Sequence, residues 1–163
     1  MKKIVLALGL IVCTSLLMGG GDFRAEGSAV VDIPARACTE NKIYLERDVQ
    51  LMWQDQVYTD AEDGAVRRHQ SIEKAGSHRH AMNYCQRLNY AGYSDWRLPT
   101  SDELTHVHSK EGQVFTYYTD NDFWSSTPTV EGKYYVVFPA DAIRYARSPR
   151  QSNYIRCVRC AAE

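Results

Sequence analysis

The run Asp95-Trp96-Arg97-Leu98-Pro99-Thr100-Ser101-Asp102-Glu103-Leu104 decides how the chain is read. Pro99 holds the residue before it, Leu98, in an extended conformation. Thr100 followed three residues later by Glu103 is the spacing of a capping box. The Thr100 hydroxyl takes the amide of Glu103, and the Glu103 carboxylate returns to the amide of Thr100. The chain therefore passes from an extended segment into a helix that starts at about Ser101. Leu104 and Val107 then fall on one face and turn inward.

Upstream, Ala81, Tyr84, Cys85 and Leu88 recur at helical spacing, with Ser77 as N-cap and Gly92 as stop. This predicts a first helix over roughly 78–90. Earlier still, Gln50-Leu51-Met52-Trp53-Gln54 reads as a strand. The acidic stretch Asp60-Ala61-Glu62-Asp63-Gly64 reads as a loop. Downstream come strand candidates at Phe123-Trp124-Ser125-Ser126, Tyr134-Tyr135-Val136-Val137-Phe138, Ile143–Tyr145 and Tyr154-Ile155-Arg156-Cys157-Val158. One strand, two helices and then several strands in close succession predict an α+β fold. Its two helices pack on a small, mostly antiparallel, twisted sheet.

The N-terminus has a different character. Lys2 and Lys3 precede an apolar run from Ile4 to Met18, which ends in Gly19-Gly20-Gly21. The run falls short of the roughly twenty residues that span a bilayer, so residues 1–21 read as a signal peptide. An uncleaved anchor and lipidation at Cys13 are the competing readings. Val12 is bulky where a lipidation signal wants a small residue. Residues 22–37 read as a tether and 38–163 as the domain. The 19 basic and 20 acidic residues give a net charge of −1, which offers nucleic acid no global attraction. Apolar residues at 44% are enough to exclude wholesale disorder. After export no membrane span is expected, and the compartment is the periplasm or the cell surface.

Four cysteines follow the leader: Cys38, Cys85, Cys157 and Cys160. An even number in an exported chain implies disulfides. Cys157-Val158-Arg159-Cys160 invites a redox reading, but a redox pair opens a helix, and this one follows a strand-like run. Residues three apart on a strand face opposite sides, so the two need separate partners. A zinc site of all four cysteines competes less well in an oxidising compartment. Two pairings remain. Chain ends tend to be adjacent, which favours Cys38–Cys160 and leaves Cys85–Cys157.

In order along the chain, five stretches resemble the Lcl C-terminal domain family. They are Leu51-Met52-Trp53-Gln54; Tyr84-Cys85-Gln86-Arg87-Leu88; Asp95 to Thr100 with Glu103-Leu104; Phe123-Trp124-Ser125-Ser126-Thr127; and Tyr154 to Arg159. The Trp-Arg-Leu-Pro-Thr block is the most specific of them. The resemblance implies a C-type-lectin-like fold related to sulfatase-modifying folds. It also implies adjacent termini and a disulfide that falls on Cys85 and Cys157. The sequence departs from the usual pattern in its long polar segment after Trp53 and in Cys38 and Cys160. It also has no collagen-like region.

Chemistry is sparse. Gly-x-Ser-x-Gly, His-Glu-x-x-His and a phosphate loop are all absent. The four cysteines have structural assignments, so no enzyme is expected, and neither is a cofactor or a metal. His78-Arg79-His80 and His106-Val107-His108 place each pair about 200° apart on a helix, which predicts solvent-facing histidines rather than metal ligands. Asp60, Glu62 and Asp63, and separately Asp120 and Asp122, read as solvated acidic turns rather than calcium sites. Arg144, Arg147, Arg150, Arg156 and Arg159 occur with no acid between Asp141 and Glu163. Guanidinium forks suit sulfate, phosphate and carboxylate. Arg144, Arg147 and Arg150 are therefore the candidate ligand-binding residues, with Tyr117, Tyr118 or Tyr145 as stacking surface. The competing reading ties Arg156 and Arg159 into structural ion pairs. The expected role is a non-catalytic recognition module for an envelope protein or an anionic glycan. The alternatives are an enzyme on a sulfatase-modifying scaffold and a structural part of an envelope assembly.

Overall fold

The computed structural model describes residues 41–161. The expected signal peptide, the tether, Cys13 and Cys38 lie outside the described residues. Eight strands and three helices occur among those described: β1 Ile43–Glu46, β2 Leu51–Gln54, α1 Asp60–Arg67, β3 Ala75–Gly76, α2 His78–Arg87, α3 Ser101–His108, β4 Phe123–Pro128, β5 Tyr134–Phe138, β6 Ile143–Arg147, β7 Asn153–Tyr154 and β8 Val158–Cys160. The architecture is α+β, as the sequence predicts. The strands form two sheets rather than one. The smaller has the order β1-β2-β8 and the larger β3-β7-β4-β5-β6. All pairings are antiparallel except β4 with β7.

Two elements depart from expectation. Asp60–Gly64, expected as a loop, opens α1. Thr59 Oγ1 accepts from the Glu62 amide, and Glu62 Oε2 accepts from the Thr59 amide at 2.7 Å, so both halves of a capping box are present. The acids that suggested a loop occupy the first turn, where the positive end of the helix dipole favours them. The second helix, α2, stops at Arg87, three residues before the expected end. Leu88 is already extended (φ −67°, ψ 124°), which carries Tyr90 into the core against Trp96 at a ring separation of 5.8 Å. Burying those two rings outweighs one more helical turn.

The capping box on Thr100 and Glu103 forms as expected, and α3 buries Leu104 and Val107. Arg97 extends it. Its guanidinium forks onto the same Glu103 carboxylate at 2.8 and 2.5 Å. The backbone of Arg97 exchanges two 2.9 Å bonds with Val158, next to β2. Pro99 O accepts from Ser126 N at 2.7 Å, and Ser101 N donates to Thr127 Oγ1 at 2.9 Å. The Trp-Arg-Leu-Pro-Thr block is thus stitched to both the Trp-Ser-Ser-Thr block and the last strand. That is the physical reason the three stretches occur together.

The core has two halves, and strand alternation feeds both. Met52, Trp124, Val136, Ile155 and Trp96 surround the disulfide in one; Leu51, Trp53, Phe123, Val137, Tyr154 and Leu104 fill the other. Every residue of β2 is buried, as befits a central strand covered on both faces. Cys85 on α2 bonds Cys157, just before β8, across a sequence separation of 72 residues. Cys157 is fully buried, whereas Cys160 is exposed and forms no disulfide with a described residue. The two do face opposite ways.

Candidate ligand-binding site

The five arginines of the C-terminal stretch separate into distinct groups. Arg156 and Arg159 are structural. Arg156 is buried beside Asp55, 3.5 Å away, and donates to Tyr117 O at 2.6 Å. Arg159 grips Asp95 at 2.7 and 3.1 Å, and its guanidinium lies 3.9 Å from the Tyr93 ring centroid. Of the three candidates, the two that lie on the edge strand β6, Arg144 and Arg147, are paired as well. Arg144 bonds Asp102 at the start of α3 and Ser101 Oγ at 3.3 Å. Arg147 bonds Asp122 at 3.1 Å, and Tyr145 donates to the same carboxylate. These acids precede Asp141 in sequence, so counting charges along the C-terminal stretch misses them.

Arg150 differs. Together with Ser77, His78, Arg79, Gly132, Tyr134 and Pro149 it lines a cavity of about 510 Å³. Three parts of the chain meet there: the start of α2, the β4–β5 hairpin and the β6–β7 loop. Gly132 has φ +69°, a left-handed turn conformation that suits glycine. Ser77 caps α2 through its hydroxyl, and the His78 amide donates to Pro149 O at 3.0 Å, which fixes the loop to the helix start. Arg79 and Arg150 are both exposed, and neither forms an ion pair with a described residue. The first turn of α2 carries no acid, whereas α1 and α3 each carry acids there. Two unpaired guanidinium groups and a positive helix end thus share one concave surface.

His78 corrects an expectation. It is buried rather than solvent-facing, stacked on Tyr134 at 3.4 Å. Its Nε2 donates to Ser125 O at 3.0 Å, which leaves the neutral ring's proton on Nε2. Burial holds its pKa below the ordinary value, against the pull of that bond. His108 departs in part, being half-buried. It packs between Phe115 and Phe123, and burial, helped by Arg156, lowers its pKa to about 4. The spacing argument holds: neither pair converges on one point. Only the assumption that both members face water fails.

In the acidic stretches Asp60 and Asp120 are exposed, while three of the acids carry structural contacts. Glu62 pairs with Lys74 at 2.9 Å, Asp63 accepts from the Tyr154 hydroxyl at 2.5 Å, and Asp122 serves Tyr145 and Arg147. Of the tyrosines named as stacking surface, Tyr118 is 40% exposed; Tyr117 lies under the Lys42 ammonium and Tyr145 is tied to Asp122. Arg79 and Tyr134 did not figure among the sequence candidates. Arg79 lies inside the His-Arg-His run, where attention goes to the histidines.

The pattern of the Lcl C-terminal domain matches residues 42–159, which takes in all eleven elements apart from the last residue of β8. The chain belongs to the Lcl C-terminal domain family. No curated protein matches it. The match of this Lcl C-terminal domain runs from just before β1 into β8, so both cysteines of the disulfide lie inside it. Among its described residues, no helix is long and apolar enough to cross a membrane.

Proposed function

We propose that this Lcl C-terminal domain is a non-catalytic recognition module, exported to the periplasm or cell surface, that binds an anionic glycan. The ligand sits in the cavity between the start of α2 and the β6–β7 loop. One observation carries the reading: Arg79 and Arg150 line the same cavity, and neither has a counter-ion among the described residues. Sulfate or carboxylate groups on a sugar chain match guanidinium forks in geometry and charge. Tyr134 offers an aromatic ring to the sugar. The scaffold reads as C-type-lectin-like, with loops carried on a disulfide-crosslinked core. Arg144 and Arg147 then act as positioning residues for β6 and α3, and of the three sequence candidates only Arg150 contacts ligand. A second clasp, Cys38–Cys160, belongs to the same reading, since Cys160 ends β8 exposed and in no disulfide with a described residue.

The test is binding of a polysulfated glycan, heparin, to the full chain across a salt series. Paired replacement Arg79→Ala with Arg150→Ala is expected to weaken binding about tenfold and to flatten its salt dependence. Arg144→Ala with Arg147→Ala is expected to change affinity far less. Equal losses in the two pairs, or no loss in the first, would sink this site. Binding of an acidic protein segment instead of heparin, with the same arginine dependence, would keep the site and change the ligand.

A further inference from the structure

A second cluster lies away from the arginine cavity, where the β1–β2 turn meets the end of α3. Glu46 closes β1 and is fully buried. Its Oε2 accepts the Trp53 indole at 2.7 Å, while its Oε1, equally buried, makes no hydrogen bond. The side-chain nitrogens facing Oε1 are Lys110 Nζ at 3.3 Å and His106 Nε2 at 3.5 Å. Asp48 comes in from the turn, with Oδ2 3.2 Å from His106 Nε2 and 2.5 Å from Lys110 Nζ. One ligand atom from each of Glu46, Asp48 and His106 lies within 4.8 Å of the others.

Two carboxylates converge here on one ammonium and one imidazole. Against the two carboxylates stands one lysine ammonium. The buried Oε1 of Glu46 faces into the cluster and is met there only by the long contacts to Lys110 and His106, short of the well-formed hydrogen bonds that buried carboxylate oxygens ordinarily have. We propose that Glu46, Asp48 and His106 form a divalent-metal site of zinc type, in which the metal takes the position held by the Lys110 ammonium.

The donor set selects the metal class. Calcium wants six to eight oxygens, and magnesium keeps most of its water. An imidazole nitrogen with two carboxylates suits zinc, and three protein ligands leave a fourth position for water. The Trp53 indole supplies the outer support that metal-binding carboxylates need, by holding Glu46 in place. Asp48 and His106, at 54% and 46% side-chain exposure, have room to close the last ångström onto a metal. Lys110 follows the end of α3, and its flexible stem lets the ammonium move out to water. The absence of metal expected from sequence rested on the cysteines, the paired histidines and the acidic stretches at 60–63 and 120–122; this site takes one of those histidines and two acids from elsewhere in the chain.

The experiment is calorimetric titration of the untagged full chain with zinc chloride near neutral pH, after free thiols are capped with iodoacetamide. One zinc per chain is expected. His106→Ala and Asp48→Asn should each weaken binding about tenfold or more. Lys110→Met should tighten it, because the competing ammonium is gone. Zinc should also raise the melting temperature of the wild type and leave that of His106→Ala unmoved, which separates metal binding from a folding defect. Zinc binding that survives His106→Ala, or a Lys110→Met variant that binds zinc no better, would reduce the cluster to a structural ion-pair network.

Discussion

The Arg156 guanidinium lies 3.7 Å from the centroid of the Phe115 ring, in the interior of the domain. Phe123 and Tyr58 flank it at 5.3 and 5.8 Å, and Asp55 supplies the opposite charge at 3.5 Å. Asp55 also accepts the amides of Thr116 and Tyr117 at 2.7 and 2.9 Å. A charge this enclosed is tolerated only while its partner is present. Asp55→Ala is therefore expected to cost about 3–5 kcal/mol. Truncating Lys133 in the exposed pair Lys133–Glu131 should cost far less, because solvent screens that pair. Urea denaturation of both variants checks the contrast; equal losses would contradict it.

The Cys85–Cys157 bond closes a loop spanning 72 residues. In the chain-entropy description a loop of that size contributes about 4 kcal/mol by restricting the unfolded chain. Replacing both cysteines by alanine should lower the urea midpoint accordingly, and reducing agent should then have no further effect at this bond. A double variant as stable as the wild type would show that the crosslink is incidental to folding.

His78 gives stability a pH dependence of known sign. Burial holds its folded-state pKa below 6.5, and no charged neighbour contributes to the shift. As pH falls below 6.5 the unfolded chain takes up a proton that the folded ring resists, so stability drops with falling pH in that window. His78→Gln keeps an N–H donor for Ser125 O and removes the titration. Urea midpoints at pH 7 and pH 5 should therefore differ less in His78→Gln than in the wild type. The opposite ordering would mean that the folded ring protonates more readily than the unfolded one.

Signals that act locally were legible before the fold was known. Thr100 and Glu103 placed the start of α3, and Ala81, Tyr84 and Cys85 placed α2. The opposed directions of Cys157 and Cys160 followed from strand alternation alone. What stayed hidden depends on partners distant in sequence. Asp102 and Asp122 neutralise Arg144 and Arg147 from 42 and 25 residues away. Arg79 and Arg150 line one cavity where Pro149 O docks on the His78 amide. Glu46, Asp48 and His106 meet because the β1–β2 turn brings its acids to the end of α3, which no spacing rule announces. Helix α1 is a different failure. Thr59 and Glu62 carry the same capping-box spacing as Thr100 and Glu103, but Gly64 and the acidic composition drew the reading toward a loop.

That same Glu62 is the more exacting test of α1. One oxygen completes the cap on Thr59, and the other accepts Lys74 N at 2.8 Å and meets Lys74 Nζ at 2.9 Å. Lys74 is itself buried, with 8% side-chain exposure. Thr59→Ala removes only the hydroxyl's half of the cap and should cost about 1 kcal/mol. Glu62→Ala removes the other half, orphans the Lys74 amide and leaves an unpaired ammonium in the interior, so its cost should reach about 3–5 kcal/mol. Adding Lys74→Met to Glu62→Ala should recover part of that loss, because the stranded charge goes with it. Chemical denaturation of the three variants gives the ordering, and a Thr59→Ala loss as large as that of Glu62→Ala would place the weight on the cap instead of the buried pair.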